Sequence, residues 1–169
     1  MAPCIVLVPG MFSVGSVFYK PLKKELGKLG FSDVIIIDLP SVDSVSRTRD
    51  LVPNPLQADI NYVRGQIEPL VKDGKDVVVV PHSYGGTVAL YACEGLWKHE
   101  REASGQAGGV IKAALMSSSL CLPGTQVGTV RGEWAAKYMP DMIVGSETSR
   151  VEVFDGVSLP LQVSSDGMR

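Results

Sequence analysis

A serine at the apex of a strand–turn–helix pattern is the feature of this chain that most clearly suggests chemistry. Four valines, Val77–Val80, run into the segment PHSYGG at residues 81–86, and an amphipathic helical pattern follows. A turn this sharp lifts a serine hydroxyl clear of its own backbone, and it needs small neighbours because the main chain bends so closely. The segment therefore predicts a nucleophile elbow with Ser83 at its apex.

The residue after the serine offers a second chemical group. Tyr84 begins the predicted helix, where backbone N–H groups have no helical partners and the helix dipole favours an anion. Its amide is therefore a candidate donor to an oxyanion. A bare Ser-x-Gly is common, and a glycine-rich turn that needs small residues only for packing is the alternative. The valine run, the double glycine and the following helix together favour the elbow.

A serine hydroxyl is a poor nucleophile until a base removes its proton, and that base needs an orienting partner. The chain has two histidines, His82 and His99. His99 follows a helix predicted over Tyr84–Lys98, which at ~1.5 Å per residue places it roughly 20 Å from the elbow. At that distance His99 cannot act as the base for Ser83.

Candidate acids for such a triad occur only in the irregular C-terminal part of the chain. They follow no convincing strand, and carboxylates in such segments are usually at the surface. We expect them to be surface residues rather than catalytic ones: Asp141, Asp155 and Asp166.

Length, composition and charge exclude several classes of protein. The chain has 169 residues, of which 45% are hydrophobic and 20% are charged, as in one globular domain with a core. The net charge of −2 and the scattered lysines and arginines predict no nucleic-acid partner. No apolar run approaches the ~20 residues of a membrane span, and no signal segment is visible. We therefore expect a cytoplasmic protein without a membrane partner.

The metal-binding residue types are few and far apart. Three cysteines and two histidines show no ligand spacing. The cysteines resemble small buried apolar residues rather than a disulfide framework. Neither a metal nor a cofactor is predicted.

Apolar strands alternate with amphipathic helical patterns over residues 4–122. Strands that are apolar at every position indicate a parallel sheet covered by helices on both faces, so the predicted class is α/β. We expect Gly30 to end the first helix, a capping box at Asn54 and Gln57 to begin the second, and a loop over Glu100–Gly109. The predicted strands are Cys4–Val8, Val34–Asp38, Val77–Val80 and Ile111–Met116, and the predicted helices are Val17–Leu29, Pro55–Lys72 and Tyr84–Lys98.

These motifs resemble those of the α/β-hydrolases, in particular the small one-domain branch that contains plant methylesterases and hydroxynitrile lyases. The family commonly has His-Gly after the first strand and an aromatic residue several positions on. This chain has PGMF at residues 9–12 and then Phe18-Tyr19, so Pro9 stands in place of the His. After the second strand, DLP at residues 38–40 matches the family's Asp-Leu. The elbow matches Gly-His-Ser-Tyr/Met-Gly-Gly, with Pro81 in place of the first glycine. The resemblance covers about residues 4–122.

The resemblance implies site residues and a fold. Ser83 would be the nucleophile, and the backbone N–H groups of Met11 and Tyr84 would form the oxyanion hole. His82 does not occupy the position of the family's base, so a packing or hydrogen-bonding role is implied for it. In the family the acid and the His follow the Ser along the chain, which implies that the catalytic triad is incomplete here. The resemblance thus implies that this chain corresponds to the N-terminal portion of the fold, a truncated α/β-hydrolase fold. Residues 1–122 would form its core, and 123–169 part of a lid region and an irregular tail. The strand predicted at Ile111–Met116 would then have an exposed edge, which predicts low stability and self-association.

The leading functional prediction is a serine hydrolase, carboxylesterase-like, that acts on a small apolar ester, lactone or thioester through an acyl-enzyme. One alternative is a non-catalytic remnant that binds a ligand or a protein partner. Another is a lyase or cyclase of the same fold in secondary metabolism, since one fold supports many reactions.

Overall fold

The computed structural model of the 169-residue chain describes residues 2–42, 52–118 and 120. Four strands in these residues form one parallel sheet in the order β2-β1-β3-β4. They are β1 (Cys4–Val8), β2 (Val34–Ile36), β3 (Asp76–Pro81) and β4 (Gly109–Ala113). The helices are α1 (Gly15–Phe18), α2 (Lys20–Lys28), α3 (Pro55–Lys72), α4 (Gly85–Ala92) and α5 (Lys98–Ala103). The predicted α/β class with a parallel sheet is confirmed.

The register of the two central strands decides where their loops meet. Cys4 of β1 pairs with Val77 of β3, and Val8 pairs with Pro81, without a shift along the strands. The carboxyl ends of β1 and β3 are therefore level and adjacent. The loop after β1 and the turn after β3 consequently lie side by side, as at the carboxyl edge of other open parallel sheets.

The core lies on both faces of the sheet. All five residues of β1 are buried, and successive side chains of a strand point to opposite faces, so both faces are covered. On one face Ile5 and Leu7 pack with Tyr19 and with Leu22 and Leu26 of α2. Helix α3 contacts β3 and packs along α4. Its buried side consists of Leu56, Asp59, Val63, Ile67 and Val71.

The first predicted helix forms as two helices, α1 and α2, rather than one over Val17–Leu29. Gly30 ends α2 as predicted, with φ of 90°. The N–H of Gly30 donates to the carbonyl of Gly27 (3.1 Å), and the N–H of Phe31 donates to that of Leu26 (3.0 Å). This pair of bonds is a Schellman motif, in which glycine adopts the left-handed conformation without strain.

The capping box predicted at the start of α3 is wrong. Asn54 precedes the helix with φ of 50°, and its side chain makes no capping hydrogen bond. A capping side chain normally reaches the first-turn amides from an extended backbone, which a left-handed Asn54 does not have. Gln57 instead donates to the side-chain oxygen of Asn61 (2.8 Å). The predicted end of the helix at Lys72 is confirmed.

The helix after the elbow is shorter than the predicted Tyr84–Lys98. Helix α4 ends at Ala92, and Gly95 follows with φ of 70°. The guanidinium of Arg64 on α3 donates to the carbonyls of Ala92 (3.2 Å) and Glu94 (2.7 Å). These carbonyls at the helix end are thus satisfied by a side chain rather than by a further helical turn.

The region predicted as a loop over Glu100–Gly109 begins with a helix. Helix α5 covers Lys98–Ala103, and the side chain of Glu100 accepts a hydrogen bond from the N–H of Trp97 (3.3 Å) at its start. The fourth strand runs over Gly109–Ala113 rather than Ile111–Met116, and Met116 forms an isolated bridge with His82.

Among the described residues, no helix combines the length and the apolar character needed to cross a membrane. The predicted boundary at residues 122/123 lies outside the described ranges and stays a prediction.

Candidate active site

Ser83 occupies a sharp turn between β3 and α4. The strand ends at Pro81 and the helix begins at Gly85, and Ser83 has φ of 51°. This left-handed conformation is strained for a residue with a side chain, and such strain concentrates at functional sites. The N–H of His82 donates to the carbonyl of Val8 (3.0 Å), and that of Ser83 donates to Met116 (3.2 Å). Contacts to both sides of β3 therefore hold the turn in this conformation.

The start of α4 lies directly against the end of β1. A Cβ atom on Gly85 would lie 2.5 Å from the carbonyl oxygen of Pro9 and 2.8 Å from that of Val8. Only glycine allows the helix to approach this backbone so closely. The approach brings the first turn of α4 to the carboxyl edge of the sheet.

The loop after β1 also lies against the elbow. A Cβ atom on Gly10 would lie 3.0 Å from Nδ1 of His82 and 3.1 Å from Cβ of Ser83. The N–H of Ser13 donates to the carbonyl of Gly10 (3.3 Å), which bends the loop into a turn that includes Met11. The fold thus brings the segment before Met11 into contact with Ser83, while Tyr84 adjoins Ser83 in the chain.

Two backbone amides in these segments could serve as oxyanion donors. Tyr84 is the N-cap residue of α4, and Met11 follows Gly10. Within residues 2–42, 52–118 and 120, neither amide donates a hydrogen bond to a backbone carbonyl. Donors of this kind can stabilise negative charge on a reacting carbonyl oxygen.

The Tyr84 side chain leads to a buried carboxylate that sequence reasoning did not find. Its hydroxyl donates to Oδ2 of Asp59 (3.0 Å), and Asp59 is 0% exposed. The same carboxylate accepts the backbone N–H of Ser41 at Oδ1 (2.9 Å) and the Ser41 hydroxyl at Oδ2 (2.5 Å). Burial raises the pKa of Tyr84, and the Asp59 carboxylate raises it further, so the phenol remains a donor.

A signal for Asp59 was present in the sequence. Asp59 lies between Leu56 and Val63 on the buried side of α3, at helical spacing. A carboxylate on an otherwise apolar helix face must find hydrogen-bond donors in the fold. That placement alone predicts a buried carboxylate with hydrogen-bond donors around it, although it does not identify those donors.

The two imidazoles lie in different surroundings. The ring of His82 stacks on that of Phe18 with centroids 6.1 Å apart and an interplanar angle of 20°, consistent with the expected packing role. Its Nδ1 atom is buried without a hydrogen-bond partner among the described residues. His99 is exposed on α5. In the described part of the chain, no hydrogen bond joins either imidazole to Ser83.

An apolar surface adjoins the elbow. The loop after β1 and helix α1 expose Met11, Phe12, Val17 and Phe18, with Phe12 at 89% exposure. Phe18 reaches the elbow through its contact with His82. These side chains would favour contact with an apolar molecule.

Asp38, from the motif that follows β2, has a structural partner. Its side chain accepts a hydrogen bond from the N–H of Ser16 (2.7 Å) in the first turn of α1. A carboxylate at this position satisfies one of the free N–H groups of the helix start. Asp38 thereby links the end of β2 to the element that carries Phe18.

Metal-ligating residues do not cluster in the described ranges, where no group of three or more His, Cys, Asp or Glu side chains could hold an ion. Cys4 and Cys93 are free and buried. Burial raises the pKa of Cys4 to about 11 and that of Cys93 to about 12, so both thiols are poor ligands and nucleophiles at neutral pH. The absence of a cofactor stays a prediction.

Comparison with known proteins agrees with this architecture. A probable hydrolase of a Phoma species, R7, is 31% identical to the chain over 90 residues. The match covers 53% of this chain and 35% of R7, so the chain spans about a third of the length of this curated relative. A profile of the alpha/beta hydrolase family matches residues 5–161, which is most of the sequence. The chain therefore belongs to the alpha/beta hydrolase family.

Proposed function

We propose that the chain is a carboxylesterase-like serine hydrolase that acts on a small apolar ester, lactone or thioester. Family membership supports hydrolase chemistry in general. The observation that carries the proposal is the left-handed Ser83 between β3 and α4, with the amides of Met11 and Tyr84 in the adjoining segments.

In the proposed reaction, Oγ of Ser83 attacks the substrate carbonyl carbon. The Met11 and Tyr84 amides bind the oxyanion, the alcohol or thiol leaves, and water then hydrolyses the acyl-enzyme. The Oγ proton must pass to a general base. Asp141, Asp155 and Asp166, the candidate acids of a triad, lie outside the described ranges, and we assign the base to no described residue.

The surroundings of the elbow support the substrate class. The exposed side chains of Phe12 and Phe18 suit an apolar acyl or alcohol group. The free buried thiols of Cys4 and Cys93 support a reducing, cytoplasmic location.

Hydrolysis of p-nitrophenyl esters of increasing acyl length tests the proposal. We expect Ser83→Ala to lower the rate by about 100-fold or more, since the remaining donors retain only part of the catalysis. Ser104→Ala is the matched control, because Ser104 caps α5 and donates to the carbonyl of Glu100 (3.3 Å). Its rate should equal that of the wild type.

Other outcomes would favour the alternative functions. Ligand binding without any Ser83-dependent hydrolysis would favour a non-catalytic binding or interaction protein. Products formed without incorporation of oxygen from ¹⁸O-labelled water would favour a lyase or cyclase of the same fold.

A further inference from the structure

We propose that Asp59 is a positioning residue for the oxyanion hole: its carboxylate holds the Tyr84 hydroxyl and thereby fixes the Tyr84 backbone N–H beside Ser83. The inference rests on the proposed function, because it concerns the same site. Asp59 is fully buried, so it acts through Tyr84 and does not touch the substrate.

One carboxylate connects three separate segments of the chain. Asp59 belongs to α3, Ser41 follows β2, and Tyr84 follows the elbow. Oδ1 accepts the N–H of Ser41, while Oδ2 accepts the hydroxyls of Ser41 and Tyr84. The Tyr84 phenol is therefore bound to a carboxylate that is itself held by helix α3 and by two hydrogen bonds from Ser41.

Packing alone does not account for this arrangement. A carboxylate costs free energy to bury, and within the described residues no lysine or arginine forms an ion pair with Asp59. A leucine at 59 facing a phenylalanine at 84 would fill similar space without that cost. The polar link therefore suggests a role in placing Tyr84 rather than in filling the core.

The sequence around the elbow explains why Tyr84 needs an external anchor. Gly85 and Gly86 follow it, so the first turn of α4 has few side chains that could pack against neighbouring elements. Tyr84 is the first residue after Ser83 that has a long side chain. Oxyanion donors must lie within about 2.7–3.1 Å of the developing charge, so a small rotation of the Ser83–Tyr84 peptide matters.

The test measures how fast a fluorophosphonate probe labels Ser83 in the 169-residue chain. Phosphonylation places a P–O oxygen in the oxyanion hole, so its maximal rate depends on the Tyr84 amide. We expect Asp59→Asn and Tyr84→Phe each to lower this rate by about tenfold or more, with little change in the half-saturating probe concentration. The double variant should be no slower than the slower single variant, because both changes break one link.

The control is Tyr62→Phe, which removes the same hydroxyl from an exposed tyrosine of α3. It should label at the wild-type rate. All rates are measured well below each variant's melting temperature, so that a loss of stability alone does not change them. If Asp59→Asn fails to fold, Tyr84→Phe carries the test, because it keeps the backbone amide and removes only the link.

The outcomes separate the two proposals. A labelled wild type with an equally fast Tyr84→Phe variant would overturn the role of Asp59 and leave the proposed function intact. If the wild type is labelled no more than Ser83→Ala, the probe does not react at Ser83. That result would overturn the proposed function, and the positioning role of Asp59 with it.

Discussion

At the scale of single residues, Gly85 determines how closely α4 approaches β1. A methyl group there would meet two backbone carbonyl oxygens, of Pro9 and Val8, which cannot move aside as a flexible side chain could. We expect Gly85→Ala to lower the free energy of unfolding by about 2 kcal/mol or more. Urea denaturation followed by circular dichroism measures the change.

The matched control for this substitution is Gly65→Ala on α3. A Cβ atom on Gly65 meets nothing within 4 Å, so alanine should stabilise the helix by about 0.5–1 kcal/mol. Equal effects at Gly65 and Gly85 would show that the close approach of α4 to β1 does not constrain the fold.

The sequence allows some features of the site to be predicted and not others. The turn at Ser83 depends on a short contiguous motif, and its local sequence was enough to predict it. The contact between Asp59 and Tyr84 joins residues 25 positions apart, so it depends on how α3 packs on α4. No local pattern specifies that packing, although the buried position of Asp59 on its helix was visible.

At the scale of elements, Arg101 links α5 to the end of α3 and to the loop before β4. Its guanidinium donates to the carbonyls of Val71, Ala107 and Gly108, each at 2.9 Å, and the residue is 7% exposed. Replacing it by methionine would remove a donor from each carbonyl. Of the three, only that of Val71 accepts a further backbone hydrogen bond in the described loops, from the N–H of Gly74 (3.1 Å). We expect Arg101→Met to lower the free energy of unfolding by about 2 kcal/mol or more.

Two further variants sharpen this test by urea denaturation. Arg101→Lys should recover only part of the stability, since an ammonium lacks the planar fork of donors. Lys72→Ala removes a cation from an exposed pair with Glu68 and should change stability by less than about 0.5 kcal/mol. A loss as small in Arg101→Met as in Lys72→Ala would contradict the role of Arg101.

The periodicity of apolar residues predicts some helices and strands correctly and fails for others. The buried strands β1 and β3 and the long helix α3 follow their apolar patterns, and prediction placed all three. The end of α4 depends on Arg64 from another helix, and α5 depends on the burial of Arg101. The sequence predicted a helix beyond Ala92 and a loop over Glu100–Gly109, because its apolar pattern does not show that these two arginines bind backbone carbonyls there.

At the scale of the whole molecule, buried weak acids should make stability fall at alkaline pH. The pKa of Cys4 is raised from 9.0 to about 11 and that of Cys93 to about 12, with burial as the largest cause. Between these values the unfolded chain loses thiol protons that the folded chain keeps. The contribution is therefore complete below pH 9 and is lost as pH rises through the folded pKa values.

Urea midpoints at pH 7.5, 9 and 10.5 measure this effect. We expect a decline above pH 9 that is shallower in a Cys4→Ala/Cys93→Ala double variant, because alanine does not titrate. The buried phenol of Tyr84, whose pKa is also raised, should account for part of the remaining decline. Identical slopes in the two proteins would contradict the assignment to these thiols.

We expect the predicted self-association to occur through the exposed edge of β4. Within the described residues β4 pairs along its length with β3, and its other edge meets only an isolated bridge between Val110 and Trp97. Ile111 on this strand is 44% exposed. We expect sedimentation velocity to show association that increases with concentration and that Ile111→Lys weakens, since edge charges oppose strand pairing. Leu29→Lys, an exposed site at the end of α2, is the control and should have no effect. A monomer at every concentration would be the contrary result.

The assignment of Ser83 as the nucleophile underlies the proposed function and is tested most directly by mapping a covalent adduct. The 169-residue chain is treated with a fluorophosphonate, and the intact mass and the proteolytic peptides are measured by mass spectrometry. The account predicts a single adduct on Ser83, within the peptide that joins β3 to α4, and none in Ser83→Ala. An adduct that persists in Ser83→Ala, or a folded wild type that remains unmodified, would contradict it.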